Sequence, residues 1–201
     1  MKDKKSHGVQ LLIRAVVRDP DGKIISDTGE KPASSFLIQF LEFWKAVFNE
    51  GPGVVNATRT TGAEGGIYDK GDLPREQFEV NSLINDSTHG VVVGTGDTAA
   101  TNEDYALEAQ ITEGIGVGNL THGTVVFGLA TVVGANVDLE VKRAFTNQTG
   151  VTITVKEAGI YTRYSVSGPL YHCIIRDVLS PAIDVPDGCS LTICYTIRTT
   201  V

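Results

Sequence analysis

The chain has 201 residues, 41% of them hydrophobic, which is enough for a real core and excludes disorder along the whole length. Twenty-two glycines, a single methionine and a surplus of Val, Ile and Thr favour many short strands joined by tight turns over a helical bundle. The formal net charge of −7 is concentrated in residues 62–113, with eleven acids against Lys70 and Arg75. That argues against a nucleic-acid binder, which needs a basic patch to neutralise phosphates.

Residues 9–18, VQLLIRAVVR, have strand composition, and DPDG at 19–22 is a turn that hands over to KIISDTG as an antiparallel return. A helix is predicted from about Ala33 to Asn49, with Ser34 or Ser35 as N-cap, Gly51 after its end and Pro52 beyond. Phe36, Leu37, Phe40, Leu41, Trp44, Val47 and Phe48 share a broad face, expected to pack on the sheet. Residues 51–73 are glycine-rich and polar with little periodicity, and read as a long loop with at most one short strand, a contact segment by its length. REQFEVNSL at 75–83 alternates weakly, and GVVVG at 90–94 reads as a short buried strand.

In the second half, GTVVFGLATVVGA at 123–135 is an uncharged run expected to lie centrally in a sheet. Val137, Leu139, Val141 and Phe145 alternate over 137–147, and Val151, Ile153 and Val155 over 151–157. With Asn147 to Gly150 between them, these predict a hairpin. LYHCIIRDV at 170–178 and SLTICYTIRTT at 190–200 read as strands separated by SPAIDVPDG, whose PDG is a turn. Leu191, Ile193, Tyr195 and Ile197 share one face of the last strand. Eight to ten strands in series predict a mainly β fold in one domain, 1–201. The expected architecture is an antiparallel β-sandwich, jelly-roll or immunoglobulin-like, with one N-terminal amphipathic helix packed on it and an N-terminal arm at 1–7.

Reactive motifs are weak. VVVGTGDTA at 91–99 formally matches a dinucleotide fingerprint, but TAATNEDYALEAQI after it lacks the amphipathic face of the helix that the motif requires. Histidines 7, 89, 122 and 172 are scattered and nominate no catalytic base. Cys173, Cys189 and Cys194 have no zinc spacing and allow at most one disulfide; Cys194 reads as a small buried hydrophobe. No catalytic or cofactor-binding residue is nominated. Asp97, Glu103 and Asp104, with Asp69 and Asp72 in the preceding loop, are the oxygen-ligand candidates for calcium, beside the plainer reading of a solvated acidic surface. QLLIRAVVRD breaks at Arg14, so no signal-peptide core or membrane-spanning stretch is expected near the N-terminus.

VVGTGDTAATNEDYALEAQI at 92–111, LEVKRAFTNQTGVTITVKEAGIY at 139–161 and IIRDVLSPAIDVPDGCSLTICYTI at 174–197 resemble the C-terminal half of a type of tailed-bacteriophage virion structural protein. DPDGKIISDTGEKPASSFLIQFLEFW at 19–44 is similar to the front of the same type, where a strand pair precedes a Ser-Phe helix. The resemblance implies a β-sandwich component of a phage head, neck, tail or fibre, made in the host cytoplasm and assembling in multiple copies with other virion proteins. It carries no reactive group and implies neither nucleic-acid nor membrane binding. The chain ends, MKDKKSHG and CYTIRTTV, are the expected contacts, because unpaired strand edges and arms accept a neighbour. Two other readings stand beside it: a module whose loops recognise a cell-surface glycan or protein receptor, and a glycan hydrolase with paired carboxylates, for which no pair stands out.

Overall fold

The computed structural model describes residues 8–33, 36–48, 55–67, 79–165 and 168–200. They form a mainly β protein with antiparallel sheets and one short helix. The larger sheet centres on β1 (Gly8–Arg18), β13 (Ser190–Thr200) and β10 (Asn136–Thr146), with β13 in the middle. β2 (Ile24–Asp27) and β3 (Lys31–Pro32) close the β1 side. β7 (Thr121–His122), β8 (Val126–Phe127) and β9 (Thr131–Val133) lie in turn along the free flank of β10. A second sheet has the order β12 (Pro169–Val185), β11 (Ile153–Ser165), β6 (Gly90–Gly94), and β4 (Val55–Thr58) pairs with β5 (Glu64–Ile67). The helix α1 (Ile38–Phe48) contacts β4 and β12.

Period-two alternation explains the packing of the larger sheet, because an unbroken register aligns the apolar sets of three strands into rows. Leu11, Ile197 and Leu139 form one row, Ile13, Tyr195 and Val141 the next, and Val17, Leu191 and Phe145 the last. The row between the second and the last is Ala15, Ile193 and Arg143, a buried arginine on an otherwise apolar face. Those rows share one core with Val91 and Val93 of β6, Val155 and Ile160 of β11 and Ile183 of β12. A second, smaller cluster on the other face of β6, β11 and β12 joins Val92, Tyr161 and Cys173 to Leu37 and Leu107.

Several expected elements are placed differently. The strands 137–147 and 151–157 are not a hairpin: β10 pairs with β13 while β11 pairs with β12 and β6, so Asn147 to Gly150 carries the chain from one sheet to the other. The buried Asn147 amide fixes this corner by donating to the carbonyls of Val151 and Val185, both at 2.7 Å. SPAIDV does not interrupt β12, which continues to Val185 and leaves only PDGC, 186–189, as the connection. Residues 123–135 are not central; Gly134 at φ +62° turns β9 back onto β10, and the segment becomes the edge of the larger sheet. The predicted loop 51–73 holds the β4–β5 hairpin, while 51–54 and 68–73 lie outside the described residues.

The helix starts later than about Ala33. Phe36 bridges Ile175, and the Leu37 and Ile38 amides are taken by the carbonyls of Ile174 and Asn102, which holds this stretch against strand and loop. Ser34, Ser35 and the arm 1–7 lie outside the described residues. Phe43, absent from the predicted apolar face, is fully buried, whereas Leu41 is 65% exposed and Trp44 is exposed as well. Cys173 and Cys189 are buried and Cys194 half-buried, all as free thiols.

Candidate functional site

Two clefts and one buried guanidinium concentrate the chemistry of the described residues. The polar cleft, about 420 Å³, lies where the loop after β6 meets Arg176 of β12, and includes Thr98, Glu103, Asp104 and Glu108. Bonded to two of the lining residues, Glu108 and Arg176, the fully buried Glu157 accepts four bonds: from the amides of Gly96 (3.1 Å), Glu108 (3.0 Å) and Ala109 (2.8 Å), and from Arg176 Nε (3.0 Å). The glycines of VVVGTGDTA make this possible. A Cβ on Gly94 would lie 2.5 Å from Glu157 Oε1 and one on Gly96 2.7 Å from it. The formal dinucleotide fingerprint thus brings backbone amides close to an anion, but the anion is the chain's own carboxylate.

Arg176 spends its other donors on the loop. Nη1 bonds Asp104 Oδ2 at 2.6 Å and Nη2 the Thr98 carbonyl at 3.1 Å, with Glu108 Oε2 at 3.8 Å. Burial pushes the Asp104 carboxyl upward, yet bonds from Thr101 and Arg176 outweigh it and hold its pKa below the usual value. Asp97 is also held low, by a 2.8 Å bond from Lys156 Nζ. Of the calcium candidates, then, Asp97 and Asp104 already face cations of the chain, Glu103 lines the cleft exposed, and Asp69 and Asp72 lie outside the described residues. Among the described residues no group of three or more His, Cys, Asp or Glu is placed to hold a metal ion.

Arg143 is the second polar centre. Its guanidinium donates to the carbonyls of Gly123 (2.6 Å), His89 (3.2 Å), Val91 (3.1 Å), Leu83 (3.0 Å) and Asp86 (2.5 Å), and to Ser82 Oγ (3.1 Å). Burial lowers its pKa to about 10, so it remains charged at neutral pH while anchoring residues 82–91 to the larger sheet. His122 beside it is pushed down to about 4 by burial and by the Arg143 charge, and His172, against Phe43, also to about 4 by burial.

The apolar cleft, about 330 Å³, opens beside α1 and is lined by Phe40, Trp44, Phe127, Leu139, Ile174 and Ile197 among others, with no polar atom facing it. The sheet face that carries the core runs on past it: the next row is Val9, Thr199, Val137 and Val132, all exposed. The bordering edge exposes Leu129, between β8 and β9, to 89% and Val132 of β9 to 73%. Of the expected chain-end contacts, CYTIRTT lies in β13, paired on both flanks along its length, and so offers no free strand edge.

Arg143 and Arg176 escaped sequence reasoning although one signal was present. Position 143 has the parity of Val141 and Phe145, which puts its side chain on the buried face. Glu157 shares the parity of Ile153 and Val155, and Arg176 that of Ile174 and Val178, so alternation marks both as buried; what it does not reveal is their pairing, because β11 shifts register between Val155 and Glu157. No helix among the described residues is long and apolar enough to cross a membrane. Neither a protein-family model nor a curated protein nor a solved structure matches the chain.

Proposed function

We propose that this protein is a structural subunit of a tailed-phage particle, assembling in many copies, its two sheets stacked as a β-sandwich of jelly-roll or immunoglobulin-like kind. Its work is geometric and needs no substrate or cofactor. The observation that carries the reading is the exposed, uncharged edge of the larger sheet, residues 126–137, on a chain of net charge −7. A soluble surface of this acidity leaves such a run uncovered at a cost, which association with another subunit removes. The buried polar centres support it, since Glu157 and Arg176 bind each other and the loop above them, as a rigid scaffold requires. The resemblance of 92–111, 139–161 and 174–197 to phage virion proteins supplies the particle.

Negative-stain microscopy with mass measurement of the purified protein tests this. Rings, tubes, filaments or defined oligomers are expected; a monomer at every concentration overturns the proposal. A second reading, recognition of a cell-surface receptor, is favoured by Ile115 and Val117, which stand exposed on the loop before β7. A stable monomer retained on a glycan array supports that reading instead.

A further inference from the structure

We propose that the edge formed by residues 126–133 is a two-fold contact between copies of this chain. The free edge of one copy lies antiparallel against the same edge of a second, with Leu129 of each over the apolar cleft of the other. This rests on the reading of the protein as an assembling subunit and names the surface through which it pairs.

The cleft itself selects the kind of occupant. A metabolite site needs a few polar groups to fix orientation, and this lining presents none. An apolar side chain carried by a protein is held in register by backbone pairing instead, and the adjoining edge provides it. The Gly128 amide donates to the Glu140 carbonyl at 2.8 Å and Phe127 stands opposite Val141, so by antiparallel alternation the N–H and C=O of Phe127 point away from β10. They face the side on which a further strand would add.

Charge and area identify the partner as a second copy. Two copies of net charge −7 repel overall, and residues 123–137, with no ionisable side chain, form a surface that adds nothing to that repulsion. The exposed apolar area of Phe127, Leu129, Val132 and Val137, on the face that carries the cleft, is on the order of 400 Å², within the range of the largest patch a monomer leaves uncovered. Doubled across a two-fold and joined by the backbone pairing at the edge, it approaches the roughly 1,000 Å² at which specific contacts begin. One patch that must meet itself gives an isologous pair, and the most exposed apolar side chain, Leu129, lies two residues from Phe127 at the cleft mouth.

Leu129→Asp and Val132→Lys, made separately in the full chain, test it by analytical ultracentrifugation over a concentration series. Both side chains are largely exposed, so the variants are expected to keep the wild-type melting temperature, and either one suffices if the other is lost. The expected result is association about 100-fold weaker or more, with a charge driven against an apolar face. Leu129→Cys is expected to give a covalent dimer on oxidation. If the wild-type protein assembles and both folded variants assemble equally well, the edge is not the contact, while the assembling-subunit reading stands. If the wild-type protein never assembles, that reading falls and this one with it.

Discussion

Arg143 shows how a single side chain can replace an apolar core position without an ion pair. Its guanidinium meets five backbone carbonyls and one hydroxyl, so the charge is solvated by fixed dipoles instead of water. Arg143→Met removes the donors and takes the guanidinium from the buried carbonyls of His89 and Val91 and from Ser82 Oγ. A loss of about 2–4 kcal/mol is expected, read as a lower urea midpoint, and Arg143→Lys recovers little because an ammonium cannot span the same fork. His122 and His172 act in the opposite sense. Their pKa values in the fold, each about 4, lie below the 6.5 of an exposed imidazole. Each therefore contributes stability that is fully present above pH 6.5 and is lost as pH falls toward 4, on the order of 3 kcal/mol per histidine at most. The melting temperature is expected to drop across that window, and His172→Phe, which keeps the ring against Phe43, to flatten the drop.

At the scale of elements, the loop from Thr95 to Gln110 is latched to the second sheet by one carboxylate. Gly96, Glu108 and Ala109 donate to Glu157, and Arg176 ties the same carboxylate to Asp104 and Thr98. Glu157→Gln keeps the shape but turns one acceptor oxygen into a donor facing N–H groups, which leaves Arg176 without its buried partner. Hydrogen exchange at the Gly96, Glu108 and Ala109 amides is expected to accelerate by at least tenfold while β1, β10 and β13 stay protected; equal exchange in the variant would refute the latch. Gly96→Ala is expected to open the same latch, because its Cβ would meet Glu157 Oε1 at 2.7 Å.

Across the whole molecule, the acids of the middle segment meet bases of the second half. Glu79 pairs with Arg163, Asp97 with Lys156, and Asp104 and Glu108 with Arg176. The acidity of 62–113 is therefore partly spent inside the chain, and the exposed pairs among these add little to stability because solvent screens them. The remaining charge bears on assembly. Raising the salt from about 0.05 to about 0.5 M shortens the reach of charge repulsion to a few ångströms. Association through the uncharged 126–133 edge is expected to strengthen in sedimentation runs, whereas an ion-paired contact would weaken.

The sequence by itself determined the β class and the strands β1, β6, β10 and β13, because period-two alternation and turn residues are local and need no partner. It also marked the face of Leu191, Ile193 and Tyr195, each buried. Which strand pairs with which was decided by the tertiary structure. A four-residue connection suits a hairpin as well as a crossing between sheets, and the pairing of β10 with β13 and of β11 with β12 makes it a crossing, held at the corner by the buried Asn147 amide reaching Val151 and Val185. Likewise an uncharged valine-rich run reads as a central strand, yet 123–135 lies at an edge, since composition reports apolar surface and not what covers it. The polar centres follow the same rule: Glu157 and Arg176 become one unit only when β11 and β12 pair across 19 residues, and Arg143 meets its acceptors only when residues 82–91 and 123 fold onto it.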